Sequence, residues 1–313
     1  MWTGLISHPA CLEHLPPRGH PECADRLRAV MGALEIDAFQ DLVRIDAPLA
    51  DESDLLRAHT REHLDIILGP ATVEAVSKGY LRIDGDTTMS AGSIDAALRA
   101  SGSVVAAVDE VHTGRLRNVF CAVRPPGHHA ERARAMGFCL FNNVAVGALH
   151  ARAVRGYKRI AIVDFDVHHG NGTQDIFWSD IDALYASSHQ SPFYPGTGYA
   201  AERGVAGNIL NLPLRAGSGS REFRAAYEYD ILPALQNFAP DFIFISAGFD
   251  AHRDDPLAEL ELLESDFSWV TRAICEIAQG CCGSRVVSVL EGGYDLEALA
   301  RSAAAHVRAL MEA

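Results

Sequence analysis

Short apolar runs rich in β-branched and aromatic residues recur along the chain at Val119–Val123, Ile160–Val163, Phe242–Ile245 and Val286–Leu290, with weaker runs at Leu184–Ser187 and Ile209–Leu212. Apolar character without alternation predicts strands buried on both faces, as in a parallel sheet. Between these runs, apolar residues fall three and four apart over Ser90–Val111, Asn142–Arg155, Arg221–Gln236 and Ser265–Ala278, which predicts helices lying on that sheet. Gly-rich Arg215–Ser220 predicts a loop before the third of these, and Asp295 the cap of a last helix reaching Met311. The alternation predicts an α/β fold, a single open parallel sheet flanked by helices. No Pro-, Gly- or Ser-rich linker divides residues 1–313, so one domain is expected.

Each strong strand candidate is followed at once by a polar cluster: Arg124-Pro-Pro-Gly-His-His129, Asp164-Phe-Asp-Val-His168, Ser246-Ala-Gly-Phe-Asp250 and Glu291-Gly-Gly-Tyr294. In an open parallel sheet the carboxyl ends of the strands share one edge, so the four clusters are expected to converge. Asp166 and His168 are two apart, and an extended chain would project both side chains the same way. With Asp250 they form a carboxylate, imidazole and carboxylate set that leaves a position open on a catalytic zinc ion. His128 and His129, behind the stiff Pro125-Pro126-Gly127, suit proton transfer, and Tyr294 after two glycines suits hydrogen bonding to a developing oxyanion.

The formal charge of -14 argues against a nucleic-acid-binding surface, so no nucleic-acid partner is expected, and 48% hydrophobic against 22% charged residues fits a soluble globular protein. No apolar run is long enough for a membrane-spanning helix and the first residues lack the order of a signal peptide, which predicts a cytoplasmic protein. Cys11, Cys23, Cys121, Cys139, Cys275, Cys281 and Cys282 form an odd set without CxxC spacing and are expected to be reduced. His59 and His63, four apart on a predicted helix, are read as a partly exposed face. His112, His150, His189, His252 and His306 are read likewise, and Asp254 to Glu264 as a solvated loop.

The ordered series Arg-Pro-Pro-Gly-His-His, Gly-Phe-Cys, Asp-x-Asp-x-His-His-Gly-Asn-Gly-Thr, Tyr-Pro-Gly-Thr-Gly, Ala-Gly-Phe-Asp-Ala and Glu-Gly-Gly-Tyr resembles the zinc-dependent histone deacetylases, and His20-Pro-Glu22 with Arg26 extends the likeness toward the N-terminus. The wording around Asn171 is closer to the class II branch and its bacterial relatives. The resemblance implies an arginase/deacetylase-like sheet, one zinc per chain on Asp166, His168 and Asp250, His129 as general base and then acid, and His128 as its electrostatic partner. It implies that Asp164 bonds the first histidine and that Asn171 stands where class I carries an aspartate beside the second. A neutral partner there makes His129 less basic. It also implies a structural potassium ion on Asp164, Ser187 and the carbonyls of Asp166 and His168. Gly137, Phe138 and Tyr194 would wall an acyl-lysine tunnel, with Tyr replacing the commoner Phe, and Asp84 or Asp86 would serve as the rim carboxylate.

The implied reaction is hydrolysis of a linear amide (EC 3.5.1) on an acetylated lysine peptide or protein, or on an acetylated small amine. Polyamine-selective relatives carry a glutamate seven residues after the third ligand. Here Leu257 stands there, which favours lysine. An arginase-like binuclear manganese hydrolase would need an aspartate where Gly170 stands, and a non-catalytic acyl-lysine-binding scaffold would have lost a ligand or the tyrosine.

Overall fold

The computed structural model describes residues 2–313. Ten strands and eleven α-helices follow one another as β1 (Trp2–Ser7), α1 (Ala24–Ala33), β2 (Val43–Asp46), α2 (Glu52–Ala58), α3 (Arg61–Leu68), α4 (Pro70–Ser77), β3 (Leu81–Arg82), β4 (Thr88–Met89), α5 (Ser93–His112) and β5 (Leu116–Cys121), then α6 (Asn143–Ala153), β6 (Ile160–Asp164), α7 (Asn171–Phe177), β7 (Ala183–Gln190), β8 (Ile209–Leu214), α8 (Ser220–Ala226), α9 (Leu232–Phe238), β9 (Phe242–Ala247), α10 (Glu264–Cys282), β10 (Val286–Leu290) and α11 (Leu296–Glu312). Eight strands form one sheet in the order β2-β1-β5-β10-β9-β6-β7-β8, every pair parallel. β3 and β4 form a separate antiparallel pair. Every residue of β6, β9 and β10 is buried, because helices cover both faces of the sheet. α5, α6 and α2 pack together as one layer, and α1, α11, α10 and α9 as the other.

Local chemistry sets several boundaries. Asn142 caps α6 by accepting from Ala145 N (3.0 Å), and Asp295 caps α11 by accepting from Ala298 N (2.8 Å). The helix expected over Arg221–Gln236 is broken into α8, a wide turn at Tyr227–Ile231 in which Leu232 N–H reaches Tyr227 O, and α9. Pro233 lacks the N–H that would continue a regular ladder. β1 and β2 carry no clear signal in the sequence, since β2 reads Val-Arg-Ile-Asp and is mostly exposed at the sheet edge. Among the described residues, no helix is long and apolar enough to cross a membrane, and all seven cysteines are free, five of them buried.

Candidate metal centre and catalytic site

The loops that leave β5, β6, β9 and β10 come from four adjacent strands in the middle of the sheet and share its carboxyl edge. After β6 the chain does not stay extended as expected. It bends over Asp166–His168, and His168 N–H donates to Asp166 Oδ1 (2.9 Å), a turn closed by a side-chain oxygen. This bend and the loop after β9 gather Asp166, His168 and Asp250 so that one ligand atom from each lies within 4.8 Å of the others, all three residues buried. Among the described residues this is the one such group.

His168 Nδ1 sits 3.2 Å from Asp166 Oδ1 and 3.1 Å from Asp250 Oδ2. Burial and the charge of Asp166 push the Asp250 carboxyl up to about 7. Burial opposes charging of His168, yet its hydrogen bonds to Asp166 and Asp250 and their charges carry it up to about 10. Two buried carboxylates facing one imidazole call for a cation, and a divalent ion would take the place of the proton that Nδ1 now shares between them. The donor set of two oxygens and one nitrogen suits zinc with a coordination position left open. Backbone amides hold the carboxylates from behind: Gly292 N donates to Asp166 Oδ2 (2.8 Å) and Val167 N to Asp250 Oδ1 (2.9 Å). A Cβ at Gly292 would fall 2.0 Å from Asp250 Oδ2, and one at Gly248 2.0 Å from Asp166 Oδ2, so only glycine permits this approach.

The rings of His128 and His129 lie 4.1 Å apart, and that of His129 lies 5.9 Å from His168. His128 Nδ1 is 3.0 Å from Asp164 Oδ2, and His129 Nδ1 is 2.8 Å from Asn171 Oδ1. Burial disfavours charge on His128, but Asp166 and Asp164 outweigh it and hold its pKa well above the ordinary value. Burial, then the neighbouring rings of His128 and His168, hold His129 well below it. The two shifts run in opposite directions, which sets the histidines apart in basicity. Tyr294 lies half-buried with the Arg26 guanidinium 4.8 Å from its ring centre and Phe138 at 6.1 Å. Burial raises its pKa well above the usual value against the pull of Arg26, so the phenol keeps its proton as a donor.

At the outer edge, Gly137 (φ 57°) and Phe138 (φ 68°) are both left-handed, a conformation unfavourable for Phe that Thr87 Oγ1 secures by accepting from Phe138 N (3.1 Å). Asp84 Oδ1 accepts from Asp86 N and Thr87 N and so closes its own turn. Asp86 instead accepts from Thr87 Oγ1 (2.8 Å), and after burial it is the first group raising the pKa of Tyr194, which sets the two carboxylates apart. The Tyr194 ring lies edge-on to His129 (5.2 Å) and His168 (6.0 Å). Leu257 borders a cavity of about 430 Å³ shared with Phe193, whose ring stacks on His168. Asp164 pairs in register with Ser187 across β6 and β7 and accepts from Tyr185 Oη (3.0 Å), while Ser187 Oγ lies 2.8 Å from His189 Nδ1.

Several expectations are corrected. His59 ends α2 in extended conformation and only His63 is on α3. Both are buried, and their rings stack at 4.6 Å. His59 Nε2 accepts from Asn142 N (2.9 Å) and His63 Nε2 donates to the Leu140 carbonyl (2.8 Å), so the pair holds the loop after β5. His150, His189, His252 and His306 are buried too, and only His112 is exposed. Asp255, read as part of a solvated loop, is buried and accepts from Tyr294 N (2.7 Å) and Leu257 N (3.0 Å). Glu291, whose motif drew attention to Tyr294 alone, accepts from Gly127 N (2.7 Å) and His128 N (3.1 Å). Arg26 donates to the Gly293 and Glu291 carbonyls (both 2.5 Å). None of these roles carries a periodic signal, since each depends on contacts far apart in sequence.

A family model described as histone deacetylase domain matches residues 20–310. The chain is 39% identical to the type-2 histone deacetylase 2 of Dictyostelium discoideum over 353 residues, which takes in 99% of this chain and 21% of that protein. It is 40% identical over 324 residues to histone deacetylase 14, chloroplastic, of Arabidopsis thaliana, covering 98% of this chain and 76% of that protein. A crystal structure of the HDA15 HD domain superposes with a TM-score of 0.92 at 38% identity, over 99% of this chain and 88% of that one.

Proposed function

This chain belongs to the histone deacetylase family of hydrolases, and we propose that it is a zinc-dependent deacylase that removes acetyl or short acyl groups from lysine side chains. The observation that carries the reading is the meeting of the buried Asp166, His168 and Asp250 triad with His129, whose ring lies 5.9 Å from that of His168 and whose Nδ1 faces Asn171 Oδ1. Zinc, when bound, polarises the amide carbonyl and acidifies water. With Nδ1–H donated to Asn171, His129 keeps Nε2 bare to take the proton of the attacking water and to return it to the leaving amine. His128, tied to Asp164, supplies the positive field beside it. The Tyr294 phenol donates to the oxyanion. Phe138 and Tyr194 wall the approach and exclude water, and Asp86 receives an N–H of the substrate backbone. Asp164, Ser187 and the carbonyls of Asp166 and His168 would hold a structural potassium ion.

Leu257 favours lysine over polyamines because an apolar gate offers no partner to a second ammonium group. A single triad supports one metal rather than an arginase-like pair, and a full complement of ligands and Tyr294 speaks against a non-catalytic scaffold. The test is hydrolysis of an acetyl-lysine peptide, longer acyl-lysine peptides and acetylated polyamines, with metal content measured alongside. One zinc per chain and turnover of acetyl-lysine are expected. Tyr294→Phe should lower kcat by about 100-fold or more with zinc retained. Turnover of acetylpolyamines alone would transfer the reading to a polyamine amidohydrolase, and bound zinc without any turnover would favour a binding role.

A further inference from the structure

We propose that Glu131 is a positioning residue that orients the Asn171 amide, so that a neutral side chain serves as a fixed acceptor for His129 Nδ1–H. The inference rests on the reading of His129 as base. The two ends of an asparagine amide have the same shape and opposite chemistry. Turned over, Asn171 would present N–H to His129 Nδ1, drive the ring proton to Nε2 and remove the bare nitrogen that the reaction needs. Asn171 is 5% exposed, so bulk water does not decide between the two orientations. What surrounds Nδ2 decides: Glu131 Oε1 at 2.8 Å, the His129 carbonyl at 3.4 Å and Met136 Sδ at 3.3 Å, all acceptors. The carbonyl is distant and the thioether weak, which leaves the carboxylate as the strong partner.

Glu131 is itself held in place. Its N–H donates to the Arg134 carbonyl (2.9 Å), and its carbonyl accepts from His59 Nδ1 (3.0 Å), the buried ring whose other nitrogen accepts from Asn142 N. The carboxylate thus acts on the His129 ring through one amide. It fixes the tautomer while its charge stays farther from the base than that of an aspartate in direct contact.

The test is a set of zinc-loaded variants assayed on an acetyl-lysine peptide, with 15N-histidine spectra of the same proteins. Glu131→Leu is expected to lower kcat about tenfold, with KM and metal content unchanged. Glu131→Gln should recover most of that loss, because its Oε1 still accepts from Asn171. In an Asn171→Asp background the sign reverses: Glu131→Leu leaves kcat unchanged or raises it, because two carboxylates would otherwise face each other. The spectra should show His129 protonated at Nδ1 alone in the wild type and Glu131→Gln, and a tautomer mixture in Glu131→Leu. Equal losses in both backgrounds, or an unchanged His129 tautomer in Glu131→Leu, overturn the proposal. The spectra need no substrate, so a wild type that hydrolysed no acylated amine would sink the deacylase reading and leave the proposal about Glu131 to be decided by the tautomer.

Discussion

At the scale of single residues the site depends on side chains that are missing as much as on those present. Gly292 passes under the carboxylates of both Asp166 and Asp250, and its N–H holds Asp166. Gly292→Ala would put a methyl group on Asp250 Oδ2, and since that oxygen belongs to a rigid ligand the carboxylate must turn away. Zinc affinity should fall by about 10- to 100-fold, read by competition with a chromogenic chelator. Unchanged affinity would mean that the loop after β10 moves freely, against its complete burial at Glu291, Gly292 and Gly293. Phe138 shows the complementary case, a bulky residue kept in a left-handed conformation, with its N–H held by Thr87 Oγ1 (3.1 Å).

At the scale of elements, Glu22 ties together the segment before α1, α1 itself and the end of β5. Arg124 grips it with Nε on Oε1 (2.5 Å) and Nη2 on Oε2 (2.7 Å), and Arg26 reaches Oε1 (3.0 Å). Burial alone would raise the Glu22 pKa, but Arg124 and His14 hold it well below the usual carboxylate range. Its contribution is therefore complete above about pH 4.5 and lost as pH falls through the lower folded value. Glu22→Gln leaves two buried guanidinium groups short of a counter-charge and should destabilise the fold by about 3 to 5 kcal/mol, measured by urea unfolding at neutral pH. A change below about 1 kcal/mol would show that water reaches these arginines on relaxation. Asp295 acts more locally. Asp295→Ala removes the cap of α11 and should cost about 1 kcal/mol, a Tm loss of about 2 °C in calorimetry.

At the scale of the whole molecule, buried neutral histidines set the response to acid. Burial pushes His59 and His306 down to about 3 and His189 to about 4, while an unfolded chain takes up these protons near 6.5. The unfolded state therefore binds more protons in that window, and stability falls as pH drops. Glu291, pushed by burial up to about 7, works in the opposite direction. His169 is pushed down to about 3 in the same way, so four histidines outweigh this one carboxyl and stability falls as pH drops from 6.5 to 5. Urea midpoints of the zinc-loaded protein should fall steeply across this range. A flat profile would show that these rings are protonated in the folded state.

The chain alone specified what local pattern can carry. The apolar runs at Ile160, Phe242 and Val286 defined the buried middle of the sheet, because a strand covered on both faces cannot tolerate polar residues. The clusters behind them named the residues that the structure brings together at one edge, since parallel strands share their carboxyl ends. What tertiary structure decided was everything resting on contacts without a period. The edge strand β2 and its neighbour β1 acquire their state from the strands they pair with, and the interruption at Tyr227–Ile231 depends on how Pro233 meets the helix before it. The bend at Asp166–His168 replaces the extended geometry that spacing suggests. Asp255, Glu291, the His59–His63 pair and Glu131 gain their partners from segments far apart in sequence, and a hydrogen bond across such a distance leaves no mark on either segment read by itself.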